Sequence, residues 1–416
     1  MGKTLIEKII ARAAGKSSVG RGEIVFASPH RILSHDNSAA ISKIFQQMDA
    51  KKVWDPERIF IALDHAVPPP DERKALNHKI IRDFVREQGI KYFYECGTGI
   101  CHQVLPEKGH VVPGKIILGS DSHTTTHGAF GAAGIALGRT ETASVWAIGE
   151  TWLKVPGTIK ITLKGQLKKG VYAKDVILFI IGGIGADGAN YKSVEFYGDI
   201  VERMSISERM TICNLSAEMG AKAAIVPYDE ATDEWLKGRA EEAFEPLYAD
   251  PDADYEEVLE CDLSDLEPQI ACPHKVDNVH LVKDLQNIKI DTAFLGTCTN
   301  GRLDDLKIAS EIVKGKKIAA GVRLLVYPAS QEVLKEALRL GYIETLVEAG
   351  AQIAVPSCGP CLGAYGGVLA PGEKCISSAN RNFKGRMGCK KDTEIYLASP
   401  VTVVSSSLAG YITTEA

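Results

Sequence analysis

The sequence predicts an α/β protein of two or three packed lobes, and three observations lead to that expectation. Its 416 residues exceed what one compact core of ordinary size accommodates. Gly-punctuated apolar segments alternate with amphipathic ones along most of the chain, as strands feeding helices do. The chemically unusual residues fall just after the apolar segments, where open α/β sheets place their ligands.

In chain order, Leu5, Ile6, Ile9, Ile10 and Ala13 recur at helical spacing among charges and predict a first helix. This stretch lacks the unbroken apolar run of a secretory signal. Residues 58–63 read as a strand ending at Asp64 and His65, and 115–118 as another ending at GSDSHTTTHGAFG. The longest apolar run, 176–184, falls far short of the roughly 20 residues a membrane span needs. Ser205 and Glu208 have capping-box spacing, so a helix starts there, and Asn214 and Glu218, four residues apart, would share one of its faces. Residues 229–267 become acidic and loop-like around ADPDADYEEV, which predicts a solvated excursion or hinge. Beyond it, 290–295 and 321–327 read as strands, 303–313 and 331–340 as helices. After Gly341 a further helix leads to a strand at 352–355. A boundary near residue 285 divides the chain into an N-terminal α/β region, 1–285, of two subdomains, and a C-terminal α/β region, 286–416.

Hydrophobic residues make up 45% and charged residues 24%, which excludes a collagen-like, coiled-coil or largely disordered chain. Lys and Arg number 48 against 53 Asp and Glu, a net charge of −5 that argues against a surface built to grip nucleic acid or anionic lipid. Ten scattered cysteines without a signal peptide imply a reducing, cytoplasmic compartment.

Three of those cysteines stand apart. Cys298 lies in GTCTNGR, and Cys358 and Cys361 form a C-x-x-C in SCGPCLG, each segment just beyond a predicted strand. Alone, a C-x-x-C equally describes a redox pair or half a structural zinc site. The intervening Gly-Pro, the lack of a second C-x-x-C and the strand-end position of both segments favour a 4Fe-4S cluster instead. Three thiolates would leave one iron without a protein ligand, which makes a cluster a Lewis acid rather than an electron carrier. Cys96, Cys101, Cys213, Cys261, Cys272, Cys375 and Cys389 read as buried small apolar residues.

With these segments, LDHAVPP, GICHQVLPE, GSDSHTTTHGAFGAAG, TICNLSAEMGA and SSANRNFKGR make seven motifs that occur in one order. In that order the chain resembles the aconitase superfamily, and within it the large-subunit group of isopropylmalate dehydratases and homoaconitases. The resemblance implies an aconitase-like fold of three α/β/α subdomains around a cluster, lacking the swivel domain. It implies reversible dehydration of a hydroxy di- or tricarboxylate, isopropylmalate in leucine synthesis or a homoaconitase substrate, and Cys298, Cys358 and Cys361 as cluster ligands. By resemblance His65, set by Asp64, delivers the proton to the departing hydroxyl. His102 with Asp121 and His123 with Glu218 form further carboxylate–imidazole pairs. Asn214 and Asn380 stand beside the cluster, and Arg381 and Arg386 grip substrate carboxylates with bidentate, permanent charge.

Two departures matter. The DATAQ-like motif of aconitases is DNSAA here, residues 36–40, so Ala40 replaces a glutamine and Ser38 alone keeps a hydroxyl for the substrate. The swivel segment with its serine base is not found after the Arg motif, which implies a separate small subunit supplying both. Readings of other classes are an iron-sensing RNA-binding protein, disfavoured by the net charge, and a zinc hydrolase using the DSHTTTH histidines with Asp64 and His65.

Overall fold

Two parallel sheets, one mixed sheet and one two-stranded ribbon form the framework of the computed structural model, which describes residues 2–285, 287–363 and 365–415. The first helix, Leu5–Ala13, starts where Thr4 and Glu7 close a reciprocal capping box, and it buries Leu5, Ile6, Ile9 and Ile10. The five-stranded sheet runs Tyr92–Tyr94, Ile59–Ala62, Arg31–Ser34, Ile116–Gly119, Ala133–Ala136, all parallel. Its central strands are buried along their whole length, as continuous apolar runs in a sheet covered on both faces should be.

The four-stranded sheet is also parallel, in the order Ala223–Ile225, Ser193–Tyr197, Thr158–Lys164, Glu257–Asp262. Its last strand overturns part of the expected acidic excursion, because Glu257–Asp262 pairs along its full length with Thr158–Lys164. Charged side chains on an exposed edge strand block pairing with other chains, and the same charges mask the strand in the sequence. Residues 230–236 within that segment are helical, capped by Asp229.

The seven-stranded sheet has five parallel strands, Glu394–Ala398, Lys374–Ser377, Thr292–Gly296, Arg323–Tyr327 and Gln352–Ile353. Two antiparallel strands, Gln269–Ala271 and Val279–Leu281, extend its edge from the N-terminal side of residue 285. The helices expected after its strands are present as Leu303–Val313, Gln331–Arg339 and Tyr342–Ala349.

The longest apolar run lies in the helix Ala173–Ile184, which packs between the helix Ile206–Leu215 and the strand Gln269–Ala271. Among the described residues no helix is long and apolar enough to cross a membrane. Cys101, Cys213, Cys272 and Cys375 are buried, whereas Cys96, Cys261 and Cys389 are only half-buried.

Backbone hydrogen bonds sew the loops after the five-stranded sheet to those after the seven-stranded one. Ile100 N–H donates to the Ala329 carbonyl at 2.8 Å, Gln331 N–H to Thr98 at 2.8 Å, and Cys358 N–H to Asp64 at 2.9 Å. The C-terminal ends of both sheets therefore open on one cleft, the place where α/β sheets bind ligands.

Candidate active site

Cys298, Cys358 and Cys361 line one cavity together with His65, His102, Asp121, His123, Asn380, Arg381 and Arg386. Thr297, one of the small residues beside Cys298, and Leu362, which the sequence reading did not single out, complete its wall. Cys298 enters on a short helical turn, Thr297–Asn300, directly after the strand Thr292–Gly296. Thr297 is held at φ 76°, a left-handed conformation costly for a β-branched residue. The buried Arg302 fixes this turn, donating to the carbonyls of Cys298, Thr299 and Ser207. Gly359, between the other two cysteines, has φ 54°, and a Cβ there would lie 2.6 Å from the Tyr327 ring.

The cysteine sulfurs receive donors from three directions. Asn214 Nδ2 approaches Cys298 Sγ at 3.1 Å and Asn380 Nδ2 approaches it at 3.7 Å. A guanidinium nitrogen of Arg386 lies 3.5 Å from Cys361 Sγ. Burial, with the charges of Asp121 and Cys361, pushes the Cys298 thiol up to about 12. Burial raises the Cys358 thiol as well, against the opposing pull of His65.

The imidazoles are bound to carboxylates. His65 Nδ1 lies 2.6 Å from Asp64 Oδ1, its Nε2 lies 3.6 Å from Asp121 Oδ2, and its ring stacks on His35 with centroids 3.9 Å apart. His102 Nε2 donates to Asp121 Oδ1 at 2.8 Å, and His123 Nε2 to Glu218 Oε1 at 2.7 Å. Burial opposes the charge on Asp121, but hydrogen bonds from His102, His123 and His65 hold it well below the usual carboxylate range. Burial likewise opposes Glu218, and His123 with Arg381 outweighs it and lowers its pKa. Arg381 donates to Glu218 at 2.8 Å and to Ser122 Oγ at 2.8 Å.

One expectation, that Asn214 and Glu218 share a helix face, needs correction. The α-helix that Ser205 caps ends at Leu215, and Glu218 sits in a 3₁₀ turn, Ser216–Met219, so the two residues do not lie on one α-helical face. Asn214 reaches Cys298 while Glu218 reaches His123 and Arg381. Ser38 is buried in the first turn of the helix Ser38–Gln47, donating to the His35 carbonyl at 2.6 Å and paired with Ser34 Oγ at 2.7 Å. It is not among the residues that line the cysteine cavity.

Asp36, beside it, has a role the sequence reading missed. Its carboxylate accepts the backbone N–H groups of Asp64, His65 and Ala66 and a His78 ring N–H at 2.7 Å. These bonds fix the loop that aims His65. His35, Asp36, Asp64 and His65 cluster as metal-ligand types would. The Asp36 oxygens are filled by those N–H groups, and Asp64 is held by Cys101 N–H and His65. The histidines of DSHTTTH lie outside this group, contrary to the zinc-hydrolase arrangement.

A family model described as the aconitase family (aconitate hydratase) matches residues 7–410. The chain belongs to the aconitase family. It is 50% identical over 414 residues, 99% of each chain, to a protein of Methanopyrus kandleri named 3-isopropylmalate dehydratase large subunit 1. It is 51% identical over 382 residues, 92% of this chain and 97% of the relative, to a probable methanogen homoaconitase large subunit of Methanosarcina mazei. The crystal structure of Thermococcus kodakaraensis aconitase X in its holo-form superposes with a TM-score of 0.53 over 88% of both chains at 16% identity, a likeness of fold alone.

Proposed function

We propose that this aconitase-family chain is the large subunit of a 3-isopropylmalate dehydratase, a hydro-lyase that isomerises 2- and 3-isopropylmalate through dehydration and rehydration. The observation that carries this reading is the convergence of three cysteines, three imidazole–carboxylate pairs and two arginines on one cleft.

The donor set fits a 4Fe-4S cluster on Cys298, Cys358 and Cys361. Thiols raised by burial become thiolates only where cations bind them, and iron supplies that charge. The amides of Asn214 and Asn380 and the guanidinium of Arg386 already direct N–H groups at two of the sulfurs, the contacts that tune sulfur-held clusters. When bound, the cluster contributes a Lewis acid that weakens the substrate's C–O bond.

The remaining chemistry belongs to the side chains. His65 holds a proton at Nε2, with Nδ1 fixed on Asp64, and passes it to the departing hydroxyl. Arg381 and Arg386, which line the same cavity, grip the substrate carboxylates. Glu218 and Ser122 hold the Arg381 fork in place until then. A separate small subunit, implied by the names of the relatives, closes the cleft, excludes water and supplies a serine base.

A second reading, a homoaconitase large subunit acting on a longer tricarboxylate, is favoured by the Methanosarcina relative. The test combines the anaerobically reconstituted chain with its small subunit and compares kcat/KM for isopropylmalate, homocitrate and citrate. The highest value is expected for isopropylmalate. Preferred turnover of homocitrate would replace the first reading with the second, and turnover of none would remove both.

A further inference from the structure

Lys174, in the helix Ala173–Ile184, is fully buried. Its ammonium donates to the carbonyls of Ser378 at 2.8 Å and Ala379 at 2.5 Å. Those two residues immediately precede Asn380 and Arg381, so the lysine grips the backbone of the turn that aims both. Carbonyl dipoles alone do not offset the cost of taking a charge out of water. Asp175, its sequence neighbour, directs its carboxylate to the backbone N–H groups of Tyr172 and Gln269.

Through Asn380 the same turn meets the cysteine trio. Asn380 touches both Cys298 and Cys361, at 3.7 and 3.4 Å. Three thiolates around a 2+ cubane core leave a net negative charge. Burial lowers the Lys174 pKa to about 7, against the pull of Cys361, Asp175, Asp305 and Cys298, so an anion at the trio would favour the charged form.

We propose that Lys174 is a positioning residue: its buried ammonium shapes the turn carrying Asn380 and Arg381 and adds a positive charge, besides that of Arg386, to the surroundings of the thiolate-held cluster. This rests on the cluster reading above, and the experiment separates the two.

Wild type, Lys174→Gln and Lys174→Met are reconstituted anaerobically and paired with the small subunit. Iron and sulfide are counted first, then the cluster midpoint potential and the KM for isopropylmalate are measured. Both variants should keep their cluster, move the potential to more negative values and raise KM about tenfold, the scale of one lost charge-assisted hydrogen bond. A cluster-loaded variant with wild-type potential and KM overturns the role of Lys174 while leaving the cluster intact. Wild type that takes up no iron overturns the cluster reading and this role with it. Should neither variant fold, ¹⁵N-lysine labelling of the loaded wild type decides: an ammonium resonance at pH 8 supports the role, and a neutral amine overturns it.

Discussion

Replacing Cys358 with Ser abolishes turnover and strips the reconstituted chain of its full complement of iron and sulfide. A serine hydroxyl is a poor ligand for iron that prefers soft thiolates, and two remaining cysteines cannot hold a cube built on three. The half-buried Cys389, whose sulfur accepts the Lys391 N–H and does not line the cavity, is the control. Cys389→Ser should retain the cluster and its activity. Iron and sulfide analysis of both variants checks the contrast, and a full cluster absorbance in Cys358→Ser would remove that residue from the ligand set.

Changing His65 to Ala leaves the cluster in place but slows turnover by roughly 100- to 10,000-fold, the usual contribution of a general acid. At room temperature that corresponds to about 3–5 kcal/mol of transition-state stabilisation. Burial disfavours a charged imidazole here, yet Cys358, Asp64 and Asp121 outweigh it and hold the His65 pKa above its ordinary value. A pKa shifted in that direction suits the proposed role of general acid. Single-turnover kinetics with matched iron content separates a chemical defect from cluster loss, and near-normal rates would exclude His65 as the acid.

Much of this site was legible in the sequence because its residues cluster in short motifs directly after apolar strands. The strands at Ile59–Ala62, Ile116–Gly119 and Thr292–Gly296 announce themselves through continuous apolar runs, and the loops that follow carry His65, Asp121 and Cys298. What remained hidden depends on long-range geometry or on charge that conceals structure. Glu257–Asp262 looks like solvated acid because this edge strand leaves most of its side chains exposed. Asp36 acts on backbone N–H groups 28 to 30 residues away, which no local pattern encodes. Lys174 reads as an ordinary helical lysine, and only the packing of its helix against the C-terminal turn shows that it is buried. Ser38 is a further case, since a motif position does not reveal that its hydroxyl bonds within its own loop.

Mössbauer spectroscopy of the chain reconstituted with ⁵⁷Fe, recorded with and without isopropylmalate, is the most direct measurement of whether the trio holds a cluster with one open position. One iron in four should change its signal when the substrate is added, while the other three stay as they were. Four irons that all ignore the substrate, or zinc bound without sulfide, would contradict it.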